Sequence, residues 1–261
     1  MTASTTRIAY EQTLQTLSTA SVHKHFDAFV DIDWDDPDYA VIADDPRWVL
    51  PSFDPLGATT WYRSLPLQRQ IEIGMYMQAN TMKVGLQFEQ ILISGLMHYA
   101  LSLPNNSPEF RYSTHEATEE CHHAQMFQEL VTMLRSGHER HPLVTRIMQI
   151  HVAEEARHIG FAHQYLQYKA PKLSSRQRAV MGVATPIVMR VLCDAILKPT
   201  RKMRRDLDIP KEVVDEVWWD SEHSSKVLRD MFGDVRMLCG ELGLMNRFSR
   251  RVWKAMRIDG R

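Results

Sequence analysis

Residues 114–127 read THEATEECHHAQMF and residues 151–161 read HVAEEARHIGF. The reading of these two stretches decides the fold. A helix turns 100° per residue, so Glu120 and His123 stand about 60° apart on one face, and His151, Glu155 and His158 fall within an arc of about 60°. Each set aims at one point beside its helix. Chance alone gives roughly 0.7 Glu-x-x-His pairs and about 0.03 His-x-x-x-Glu-x-x-His runs in a chain of this composition, counted as template matches. Three pairs are present, the third being the out-of-register Glu119 and His122, together with one full run.

Working outward, both stretches sit in long helical segments. Residues 66–101 carry apolar side chains at helical spacing (Ile71, Met75, Met82, Leu86, Ile93) and end at Pro104-Asn105-Asn106. A second helix is expected from about Ser113 or Thr114 to Arg135, stopped by Ser136-Gly137. Pro142 opens a third that runs to Tyr168, and Ser174-Ser175 caps a fourth over 176–198. Residues 210–218 and 222–242 supply two more, and the basic tail RFSRRVWKAMR reads as a solvated helix. Upstream, residues 1–8 read as disordered and 9–20 as a short helix. Residues 31–58, rich in proline and aspartate, form an extended arm with turns, whose Trp34, Trp48, Leu50 and Phe53 are expected to pack on the body. The fold class is therefore all-α: a ferritin-like helical bundle over 59–261 with an N-terminal arm over 1–58 and extra C-terminal helices.

Composition narrows the function. Thirty-one Lys+Arg against 32 Asp+Glu give a formal charge of −1, so no global charge recruits nucleic acid or an anionic membrane. Glycine is scarce (11) and methionine abundant (15), which suits helices packed on helices. Cys121, Cys193 and Cys239 form neither a disulfide framework nor a zinc-site spacing. Cys121 is expected to be a half-buried packing thiol. With no run of 18 consecutive apolar residues and no signal-like segment, a cytoplasmic protein without a membrane helix is expected.

Carboxylates and imidazoles without thiolate suit iron or manganese. One Glu from each of two helices and Glu-x-x-His from each of two others is the pattern of di-metal carboxylate bundles. On the first helix that Glu is Glu89, a charge in the apolar stretch VGLQFEQILI that calls for a partner or a metal.

QFEQILISGLMHYA, EECHHAQMF and HVAEEARH together resemble the ligand segments of the para-aminobenzoate N-oxygenase (AurF-type) diiron family, over residues 60–245. The leading His of the His-x-x-x-Glu-x-x-His form is the specific part. The resemblance implies Glu89, Glu120, His123, Glu155 and His158 as iron ligands and His151 as an additional histidine ligand. It also implies dioxygen as co-substrate and oxidation of a small organic molecule such as an arylamine. No glycine-rich dinucleotide fingerprint is present, so an external electron donor is expected; a homodimer is expected as well. The alternative is a non-catalytic metal-binding protein of the same fold, or an oxidase without oxygen transfer.

The family places a further Glu on a helix between the two clusters, yet only 27 residues separate His123 from His151. Glu129 is badly placed on the helix of His123. Either Glu119, Glu154, Asp194, Glu216 or Glu222 completes the site, or a segment is missing between Glu129 and Arg135. The second is the favoured expectation, with a chain break near Val131-Thr132.

Overall fold

Four long helices follow from the stop and start signals of the sequence. In the computed structural model, which describes residues 3–40, 42, 44–134 and 142–260, these are α3 (Leu67–Ala100), α4 (Pro108–Leu134), α5 (Pro142–Lys169) and α6 (Ser175–Leu197). Pro66 precedes α3, and Pro142 opens α5 where its missing N–H costs nothing. Ser174 caps α6 reciprocally: its hydroxyl accepts from the Gln177 amide, and the Gln177 side chain accepts from the Ser174 amide. Helix α4 starts earlier than expected. Ser107 accepts the Phe110 amide at 3.1 Å and Pro108 occupies the first turn, so the helix extends six residues N-terminal of Thr114.

The N-terminal segment is more helical than its sequence suggested. Helix α1 spans Ala3–His23, and Tyr10, Leu14, Ser18 and Ser21 form its buried stripe. Two of those four positions are serines, which is why the stripe did not read as apolar. The following arm behaves as expected over Trp34, Trp48 and Leu50, with 3-10 turns at Pro37–Tyr39 and Pro46–Trp48, each begun by an aspartate cap. Phe53 is a correction: it lies exposed.

The described chain divides into two compact units, Met1–Leu50 with Leu65–Tyr165, and Pro51–Ser64 with Leu166–Arg261. In the first, the arm crosses α3 where only glycine fits. A Cβ on Gly74 would stand 1.9 Å from the Trp48 carbonyl oxygen. Met126, Phe127 and Leu130 of α4 meet Leu143, Ile147 and Ile150 of α5 in an apolar plug. Burying each of these side chains contributes about 1.5–3 kcal/mol. Farther along the same pair, Tyr112 packs on Phe161 at 4.7 Å, Phe161 on Tyr165 at 5.8 Å, and Tyr165 edge-on to Tyr99 at 5.6 Å. The antiparallel helices α4 and α5 are thus pinned at an apolar end and at an aromatic end, with the polar residues between.

The second unit holds α2 (Thr60–Ser64), the end of α5, and α6. It continues with α7 (Arg201–Asp206), α8 (Lys211–Asp215), α9 (Glu222–Met231), α10 (Gly233–Glu241) and α11 (Arg247–Ala255). Three expectations change here. Helix α7 was not foreseen. The stretch 222–242 divides at Phe232. Residues 216–220 leave regular helix, and Trp219 takes φ 86° while its indole N–H donates to Asp194 at 2.7 Å. The tail helix α11 is not fully solvated, for Trp253 and Ser249 are buried and Gly182 of α6 lies against the Leu244 carbonyl beside it. Residues Ser175–Asp206 are long and apolar enough to cross a membrane by length and composition, with mean hydropathy 1.8 in one window, which the sequence reading did not anticipate. Arg190 and Asp194 pair within this stretch. Cys121 is exposed rather than half-buried.

Val131 and Thr132 lie within the unbroken α4, where the Thr132 hydroxyl donates to the Gln128 carbonyl at 2.9 Å. The break expected there is absent. The Arg135 end of the interval lies outside the described residues.

Candidate metal centre

Each of α4 and α5 carries the same five-residue pattern: Glu119-Glu120-Cys121-His122-His123 and Glu154-Glu155-Ala156-Arg157-His158. Because the helices run antiparallel, the second Glu and the His of each pattern face the other helix. Glu120 sends Oε2 to His123 Nδ1 and Oε1 to His158 Nδ1, both at 2.9 Å. Glu155 Oε1 lies 3.7 Å from His123 Nδ1, 3.2 Å from His158 Nδ1 and 3.4 Å from His151 Nε2. Glu89 of α3 comes within 3.2 Å of His151 Nε2. The imidazoles of His123 and His158 are 5.9 Å apart, and those of His123 and His151 4.6 Å. All six residues singled out in the sequence therefore meet in one place. Glu120 and His123 are fully buried, Glu89 and His158 nearly so, and His151 and Glu155 retain partial exposure.

The first Glu of each pattern does something else. His158 Nε2–H donates to Glu119 at 2.8 Å, and His123 Nε2–H donates to Glu154 at 2.9 Å. One cation ties both carboxylates: Arg157 donates to Glu119 at 2.8 Å and to Glu154 at 3.1 Å. The Phe26 amide also donates to Glu154. Each imidazole is thereby fixed with its Nδ1 toward the shared point and its Nε2 on a carboxylate, the arrangement that orients a metal-binding histidine. Glu119 and Glu154 are occupied as orienting groups and are not free to complete a ligand set. The Glu119–His122 pair does not form; His122 faces Asp27 and the Ala28 amide.

So many buried ionisable groups perturb one another. Burial works against a charged His123, but hydrogen bonds to Glu120 and Glu154 prevail and push its pKa up to about 9. His158 is likewise opposed by burial, and its bonds to Glu119, Glu120 and Glu155 push it up to about 12. Glu120 is held far below the usual carboxylate range despite its burial, by bonds to the two histidines. Burial raises Glu89.

Groups able to hold a cation, with donor atoms within 4.8 Å of one another, are Glu89–His123–His151, Glu120–His123–Glu155 and Glu116–Glu120–His158. Among the described residues none contains Asp194, Glu216, Glu222 or Glu129. The third group includes a residue that sequence reasoning passed over. Glu116 stands one turn before Glu120 on α4, nearly buried, and its Oε2 has no hydrogen-bond partner among the described residues. Burial pushes its carboxyl up to about 8 although His158 pulls it down. It lies in the first stretch quoted above, but a search for Glu-x-x-His spacing cannot report it. The donor set, carboxylate oxygens and imidazole nitrogens with no thiolate, fits a pair of hard to borderline cations such as iron or manganese.

The sequence pattern of the P-aminobenzoate N-oxygenase AurF family matches residues 7–140 and 130–243. The chain belongs to this N-oxygenase family. Similar proteins are the uncharacterized protein Rv0885 of Mycobacterium tuberculosis and the uncharacterized protein Mb0909 of Mycobacterium bovis. Each is 43% identical over 300 residues, covering 97% of this chain and 88% of the relative. No solved structure matches. An alignment of 300 residues against a chain of 261 leaves at least 39 positions of these relatives without a counterpart. The two N-oxygenase matches meet at 130–140. This shortfall agrees with the missing segment that the sequence suggested, and the overlap of the two matches contains Val131-Thr132, where α4 itself is unbroken.

Proposed function

We propose that the protein is a non-haem diiron oxidoreductase that uses dioxygen to oxidise a small organic substrate, with an arylamine nitrogen as the site of oxidation. One observation carries this reading. Glu120 and Glu155 each reach the Nδ1 atoms of both His123 and His158, so each carboxylate can bridge two cations held by the two helices. Glu89, His123, His151 and His158 would hold the remaining positions. When bound, the iron pair supplies electrons and open positions for dioxygen. The protein's own part is to orient and to exclude water. Glu119, Glu154 and Arg157 fix the imidazoles, and the apolar plug keeps one end dry. His151 and Glu155 are the partly exposed edge of the centre. Between α3 and α5 a groove of about 740 Å³ is lined in part by Met82, Met148, Val152 and Ala153, apolar surface that suits a small organic substrate. Electrons arrive from a separate donor protein or carrier.

The test is anaerobic loading with Fe(II), then exposure to dioxygen with and without p-aminobenzoate as the probe arylamine. Stoichiometric conversion of the arylamine to its N-oxygenated product supports the reading. Iron oxidation at the same rate with and without arylamine, and no product, would replace it with a metal-binding protein or an oxidase that transfers no oxygen.

A further inference from the structure

The two histidines at the heart of the centre are unequally served. Around His123 stand Glu89 and His151, besides Glu120 and Glu155, which it shares with His158. Around His158, beyond the shared carboxylates, one residue remains. Di-metal carboxylate bundles bring four carboxylates to two cations, one of them from a fourth helix. Seven residues separate the end of α4 from the start of α5, too few for that helix. Three carboxylates, Glu89, Glu120 and Glu155, would leave two divalent cations short of neutrality by one charge, in surroundings where an uncompensated charge is heavily penalised.

Resting on the diiron reading above, we propose that Glu116 is the fourth carboxylate ligand in this chain and completes the half of the centre that His158 begins. Its donor oxygen lies within 4.8 Å of those of Glu120 and His158. The side chain is 5% exposed, and Oε2 is unpartnered among the described residues. A buried carboxylate oxygen without a donor is costly to retain unless something binds it. Standing one turn before Glu120, Glu116 shares that residue's face of α4, so the ligand comes from a helix already in the site and needs no additional element. Neither alternative carboxylate can serve in its place, since Glu119 and Glu154 are held by the outer nitrogens of His158 and His123 and by Arg157.

Glu116→Gln removes the charge with little change of shape. Chelator-stripped protein is titrated with Mn(II), bound equivalents are counted after desalting, and the electron paramagnetic resonance spectrum reports whether the ions are coupled. The parent should bind two equivalents as a spin-coupled pair. Glu116→Gln should bind one isolated ion, its second equivalent weakened by at least about 100-fold, beyond the effect of losing an orienting partner. Glu129→Gln, away from the cluster on the same helix, should behave as the parent. A coupled pair of unchanged affinity in Glu116→Gln overturns the role of Glu116 and leaves the di-metal reading standing. A parent that binds no pair overturns both. Should Glu116→Gln fail to fold, Glu116→Leu, apolar and of similar size, carries the same test.

Discussion

The halves of this centre were built from different kinds of information. Around His123, every donor sits at a spacing that a sequence template can find: His151 four residues before Glu155, Glu155 three before His158, and Glu89 alone in an apolar run. Around His158, the added group is Glu116, which precedes Glu120 and His123 by the same four and seven residues by which His151 precedes Glu155 and His158, but is a carboxylate where the template asks for histidine; burial and an unpartnered oxygen single it out. Motifs report what a helix repeats. A template that asks for histidine one turn before the Glu does not report a carboxylate donor standing there.

The comparison breaks completely if the shared residue is removed. Glu120→Ala should abolish retention of both metal equivalents and all dioxygen consumption, because Glu120 touches both motif histidines; metal analysis after desalting and an oxygen electrode check this. A variant that keeps either equivalent would mean that the two halves are independent sites.

Next in size is the split between halves. Glu89→Gln should lose the ion on the His123 and His151 side and keep the other, whereas Glu116→Gln should do the reverse. Co(II) spectra of the two singly loaded variants should then differ, since one half offers two imidazoles and the other one. Identical spectra would show that the halves are not distinct.

Protonation sharpens the comparison further. In chelator-stripped protein, His123 should titrate at about 9 and His158 at about 12 in an NMR pH series. Both lie above the ordinary value of 6.5, so the stability that they contribute is full below pH 6.5. It falls as pH rises through 9 and, for His158, continues to fall toward 12. The stripped protein should therefore lose stability steadily over pH 6.5–9, with His123 and His158 both contributing, read by denaturant unfolding. Unchanged stability over that window would contradict the paired imidazoles.

The smallest effect is expected at His151. Its half keeps Glu89, Glu155 and His123, so His151→Ala should weaken one equivalent by less than Glu116→Gln does, read by the same Mn(II) titration. A loss as large as that of Glu116→Gln would erase the asymmetry.

Much of this was legible beforehand. Pro66, Pro142 and Ser174 mark starts of α3, α5 and α6, and the ligand helices follow from periodicity. The start of α4 was misplaced because Ser107-Pro108 reads as the tail of a loop until the hydroxyl is seen to cap. Helix α1 was shortened on paper because its buried stripe includes Ser18 and Ser21. The division of 222–242 at Phe232 has no proline to announce it. In the centre, the second Glu and the His of each pattern were found from spacing, while Glu119, Glu154 and Arg157 show their roles only when the two helices are laid side by side.

Arg157 ties the two halves of the centre together. Its guanidinium holds Glu119 and Glu154 at once, and these hold His158 and His123 on opposite helices. A displacement of that one side chain loosens both imidazoles together. Any metal held by His123 and His158 would therefore share one mechanical anchor at Arg157 of α5.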